Sequence, residues 1–100
     1  MGATQKRILI VEDEVIVAME IEMHLLRNSF IVVGKCQSSE RAIESALEHK
    51  PDLIMMDINI QGNLDGVHTA KIILDSFKPA ILFLSASIAL RKYLSAKPAH

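Results

Sequence analysis

Residues 7–14 read Arg7-Ile8-Leu9-Ile10-Val11-Glu12-Asp13-Glu14, an unbroken apolar run set directly against three acids. Apolar side chains that do not alternate with polar ones mark a strand buried on both faces, as in a parallel sheet covered by helices. Working outward, the next segment turns helical as far as about Asn28. On a 100° wheel Leu25, Ala18, Val15, Leu26 and Met19 share an apolar arc opposite Glu20, His24 and Arg27, and Glu22 falls inside that arc as a misfit. Phe30-Ile31-Val32-Val33 reads as a second strand, stopped near Gly34. Ser38 or Ser39 can cap a helix carrying Ala42, Ile43, Ala46 and Leu47, which Pro51 ends. Leu53-Ile54-Met55-Met56 is a third strand leading into Asp57, followed by a loop from Gln61 to Gly66. A third helix holds Val67, Ala70, Ile72, Ile73, Leu74 and Phe77, and Ala80 to Leu84 form a fourth strand. This β-α-β-α-β-α-β order predicts right-handed crossovers and an α/β fold with a doubly wound parallel sheet.

The 100 residues, half of them hydrophobic and 23% charged, fit one globular domain spanning 1–100. Eleven basic and twelve acidic residues leave a net charge of −1, without the basic excess of a nucleic-acid binder or a membrane-surface patch. No apolar run reaches the ~18 residues of a membrane span. Met1 to Lys6 lack the apolar core of a signal peptide, and the lone Cys36 has no intrachain partner, so a cytoplasmic setting is expected.

In an open parallel sheet, ligands gather at the carboxyl ends of the strands. Glu12-Asp13, Asp57 and Ser85 all fall at such ends. Neighbouring carboxylates raise one another's pKa unless a cation joins them, and Mg²⁺ suits such a set because it takes one or two carboxylates and keeps several waters. A carboxylate beside that ion can act as a nucleophile toward phosphorus, while a hydroxyl and a lysine pair with phosphoryl oxygens.

From Lys6 to Ala86 the chain resembles the receiver domain of two-component response regulators, a flavodoxin-like fold. The matching pieces are Ile8 to Glu14, Pro51 to Ile58, Asp65-Gly66 and Leu84-Ser85-Ala86, in that order. The resemblance implies that Asp57 is the phosphoacceptor, taking a phosphoryl group from a sensor histidine kinase or phosphotransfer protein. It implies that Glu12, Asp13 and Asp57 hold Mg²⁺, that the Asn59 backbone carbonyl completes the metal site, and that Ser85 is the switch hydroxyl.

Residues 87–100 depart from the family pattern. The family continues through a fourth helix, a fifth strand ending in lysine and a fifth helix, whereas fifteen residues follow Ser85 here. In one reading α4 is shortened and Tyr93 to Lys97 form the fifth strand, with Tyr93 as switch aromatic and Lys97 as phosphate partner. In the other, which the limited length favours, Ser87 to Ala96 form a terminal helix and Lys97 is a solvated residue; a return crossover needs about ten to twelve residues before its strand. Either way α5 is absent, which leaves apolar surface and predicts a homo-oligomer. The leading expectation is therefore a phosphoacceptor module rather than a turnover enzyme. A switching-impaired receiver serving as a dimerising or scaffold module is the alternative. An aspartate-nucleophile phosphatase is weaker still, because the nucleophile of that class usually follows the first strand.

Overall fold

The computed structural model describes residues 5–84. It contains β1 (Arg7–Val11), α1 (Val15–Arg27), β2 (Ile31–Cys36), α2 (Ser39–His49), β3 (Leu53–Met56), α3 (Gly66–Leu74) and β4 (Ala80–Phe83). The strands form one sheet in the order β2-β1-β3-β4, with every pair parallel.

The continuous apolar character of β1 follows from its interior place in the sheet. Leu9 and Val11 join Ile54 and Met56 beneath Ala42 and Ala46 of α2 and Ala70 and Ile73 of α3. Ile8 and Ile10 turn to the opposite face, where Ala18 is buried and Ile21 and Leu25 of α1 pack against them. The sheet is thus wound on both sides, as the element order predicts. Full burial of each β1 aliphatic contributes roughly 1.5–3 kcal/mol.

Three local expectations need correction. First, β2 does not stop at Gly34; it runs to Cys36, with a register shift where Leu9 pairs Gly34 after Ile8 has paired Val32. Gly34 serves close packing here, since a Cβ at that position would lie 3.2 Å from both Leu9 Cδ1 and Ser45 Oγ. Second, α1 is rotated relative to the wheel reading. Val17 and Ala18 are buried, whereas Val15, Met19 and Leu26 are at least half exposed. This rotation resolves the Glu22 misfit: the side chain lies on the flank of the helix and accepts a 2.6 Å hydrogen bond from Lys35 Nζ. Third, β4 ends at Phe83 rather than Leu84, and its Leu82 and Phe83 are exposed, as is Ile31 of the other edge strand, β2.

α2 begins at the N-cap Ser38, whose hydroxyl accepts from the Arg41 N–H, and it closes at Lys50 with φ 48°, just before Pro51. The N-cap position of α1 is Glu14, which leaves Asp13 outside the helix. The alternative readings of residues 87–97, the shortened α4 and β5, and the absence of α5 all fall outside the described residues. So do Ser85, Tyr93 and Lys97.

Candidate functional site

Strand register brings the site together. Val11 is level with Met56, and the Asp57 N–H donates to the Val11 carbonyl at 2.9 Å. Glu12 is held in turn by donation of its N–H to the Cys36 carbonyl. The residues that follow β1 and β3 therefore emerge side by side. Glu12, Asp13 and Asp57 each offer a carboxylate oxygen, and the three oxygens lie within 4.8 Å of one another. Glu12 and Asp57 are buried, while Asp13 is partly open to solvent.

Glu12 is fully buried and only half satisfied. Its Oε2 accepts the Glu14 N–H at 3.0 Å, but Oε1 has no hydrogen-bond partner among the described residues. Burial, chiefly, together with the nearby Asp13 and Asp57 carboxyls, pushes its pKa from 4.5 to about 7. An acceptor left without a donor beside two further carboxylates fits a hard divalent cation, which would supply the missing positive charge. Mg²⁺ is chemically compatible with this all-oxygen set.

Asp57 also organises the loop after it. The Asn59 N–H donates to Asp57 Oδ1 at 3.0 Å, and the Gly66 N–H donates to the Ile58 carbonyl at 2.6 Å. Gly66 is required by close approach, because a Cβ there would lie 2.7 Å from Ile58 Cα and closer still to the Asp57 carbonyl. Asp65 caps α3 by accepting the His68 N–H, and its other contact is with the His68 ring. These donors hold the Asp65 carboxyl below its ordinary pKa.

Sequence reasoning missed how this loop is fastened at its far end. The Ser39 N–H donates to the Gln61 carbonyl at 2.8 Å, the Leu64 N–H donates to Ser39 Oγ, and the Asn63 N–H donates to Glu40 Oε2. Gly62 at φ 116° permits this seating, since a Cβ would collide with Ser39 and come within 2.6 Å of Glu40 Oε1. The available signals were Ser38-Ser39 at the start of α2 and glycine in the loop, but neither names its tertiary partner. Cys36 is buried; its thiol donates to the Arg41 carbonyl, and burial pushes its pKa up.

A doubly wound parallel sheet whose first and third strands end in clustered carboxylates defines a flavodoxin-like domain with an acidic site at its carboxyl edge. The chain belongs to the response regulator receiver domain family, whose model matches residues 8–98. It is a receiver domain of the two-component signalling class. Among relatives, it is 33% identical over 85 residues to the transcriptional regulatory protein PdtaR of Mycobacterium tuberculosis, covering 85% of this chain and 41% of that protein. It is 40% identical over 65 residues to the chemotaxis protein CheY of Bacillus subtilis, covering 65% of this chain and 53% of that one. The chain thus spans about half or less of the length of these relatives. The crystal structure of the anti-anti-sigma factor PhyR complexed with the anti-sigma factor NepR, from Bartonella quintana, superposes with a TM-score of 0.73. That match has 29% identity and covers 79% of this chain and 33% of the other. Among the described residues, no helix is long and apolar enough to cross a membrane.

Proposed function

We propose that residues 1–100 act as one phosphoacceptor receiver domain, with Asp57 as the acceptor. The observation that carries this reading is the meeting of Glu12, Asp13 and Asp57 carboxylate oxygens within 4.8 Å of one another, beside a buried Glu12 whose Oε1 has no hydrogen-bond partner among the described residues. In the proposed transfer, a carboxylate oxygen of Asp57 attacks the phosphorus of a phosphohistidine on a sensor kinase or phosphotransfer protein. The P–N bond breaks, the imidazole leaves with the electron pair, and an aspartyl phosphate remains. Glu12, Asp13, Asp57 and the Asn59 carbonyl would hold Mg²⁺, which supplies charge compensation for the phosphoryl oxygens.

The chain's own contribution is positioning. The Asn59 N–H fixes one Asp57 oxygen, and the fastening of the loop to Ser39 and Glu40 steadies the segment that carries Asn59. Ser85 is assigned the switch hydroxyl, with Tyr93 and Lys97 as the further aromatic and phosphate-pairing candidates. The product is a covalent state read by other proteins, so the domain acts as an acceptor rather than a turnover enzyme, and its setting is the cytoplasm. A scaffold role is the second reading, favoured by the likeness to PhyR of Bartonella quintana, which was crystallised in complex with NepR.

The test is intact-protein mass spectrometry after treatment with a small-molecule phosphodonor and Mg²⁺. One added phosphoryl group on the wild type, absent from Asp57→Asn and lost when the metal is chelated, is the expected result. A folded wild type that acquires no adduct would overturn the acceptor reading in favour of the scaffold.

A further inference from the structure

α1 has two apolar faces, and the sheet uses only one. Val17 and Ala18 are buried and Ile21 and Leu25 are partly buried, whereas Val15, Ile16, Met19, Met23 and Leu26 are between 50 and 58% exposed on the outward side. Four of these, Ile16, Met19, Met23 and Leu26, follow one another at spacings of three, four and three. That is the spacing of a coiled-coil seam, a-d-a-d, with Ile16 and Met23 at a and Met19 and Leu26 at d.

We propose that this face docks on the α1 of a second copy of the chain, with the two helices parallel and in register. β-Branched residues at a and leucine at d favour two parallel strands, as Ile16 and Leu26 provide at the ends of the seam. Charge selects the orientation. In the parallel arrangement Glu22 occupies a g position and Arg27 the following e position, so each Glu22 faces Arg27 of the second copy, twice by symmetry. In the antiparallel arrangement Ile16 would oppose Leu26 and Met19 would oppose Met23. That places Glu20 near Glu20, and Glu22 near Glu22, beside the two-fold axis, where like charges repel. Glu22 is already held on the flank of α1 by its 2.6 Å bond from Lys35.

The area sets the strength. Five large side chains, each about half exposed, offer roughly 400–500 Å² per copy, the size of a functional surface patch. Two such faces bury roughly 900 Å², short of the ~1,200–2,000 Å² of stable complexes, so the dimer is weak and reversible. Because α1 is anchored on the sheet, docking incurs no helix-nucleation cost. The surface is built from described residues of α1 alone, and the proposal does not rest on the role of Asp57.

Sedimentation equilibrium of the full chain, from micromolar to near-millimolar concentration, tests this. The wild type is expected to associate reversibly to a dimer. Met23→Glu and Arg27→Glu should each weaken association, the first by roughly tenfold or more, and Glu22→Arg combined with Arg27→Glu should recover most of the loss. Met23 and Arg27 are exposed, so circular dichroism of the two single variants should be unchanged. On a Cys36→Ser background, Met23→Cys should form an interchain disulfide upon oxidation. A monomer at all concentrations would overturn the proposal. So would a dimer indifferent to Met23→Glu, or cross-linking between Ile16→Cys and Leu26→Cys in place of Met23→Cys.

Discussion

Replacing Glu12 with glutamine tests the electrostatics of the carboxylate cluster without altering its shape. The Glu12 carboxyl is buried, one of its oxygens has no hydrogen-bond partner among the described residues, and its pKa is raised from 4.5 to about 7. At about 1.4 kcal/mol for each tenfold change in proton affinity, that rise corresponds to a penalty on the order of 3 kcal/mol for the buried charge. Below pH 4.5 the group is protonated in both folded and unfolded chains and costs nothing. Between 4.5 and 7 the folded chain binds more protons than the unfolded one, so stability falls as pH rises. Above 7 the full penalty of the buried charge is present, shared with Asp13 and Asp57 as one coupled set. In metal-free buffer, Glu12→Gln should therefore gain roughly 2–3 kcal/mol over the wild type between pH 4 and pH 8. Urea unfolding at the two pH values measures this directly. Adding Mg²⁺ should stabilise the wild type more at pH 8 than at pH 5, because the ion binds the charged form, and should help the variant less. A wild-type-minus-variant difference that does not change with pH would refute the reasoning.

Other perturbations separate packing from site chemistry. Gly66→Ala should cost about 1–3 kcal/mol in chemical denaturation, because the new methyl group meets Ile58 and the Asp57 carbonyl; it should also lower phosphoryl acceptance by moving Asp57. Ile54→Ala, in the centre of the sheet, should cost about 2–5 kcal/mol by urea titration and leave no pH signature. Ser38→Ala removes the hydroxyl that accepts the Arg41 N–H, and thermal unfolding should register a loss of about 1 kcal/mol.

The central strand and the acids were legible for one reason. A strand covered on both faces must be apolar throughout, so β1 and β3 stand out, and whatever polar residue ends them lies at the ligand edge of the sheet. That logic reaches Glu12, Asp13 and Asp57 from sequence alone, and the structure places them together. Helix α1 was less legible because its outward face is as apolar as its inward one. A wheel finds the arc of highest hydrophobicity, which need not be the arc that the sheet covers. Gly34 misled in another way: read as a stop signal, it is the point in β2 where the side chains of Leu9 in β1 and Ser45 in α2 come close. The docking of the Asp57 loop on Ser39 and Glu40 joins residues more than twenty positions apart through backbone groups, and no local pattern announces such a contact.

Phosphoryl acceptance on a carboxylate oxygen of Asp57 is tested most directly by reductive trapping. After treatment with a phosphodonor and Mg²⁺, borohydride converts an aspartyl phosphate to homoserine, and peptide sequencing then locates it. Homoserine at position 57, formed only with the metal present, is the predicted result. Homoserine at position 13 or 65, or its appearance in Asp57→Asn, would contradict the account.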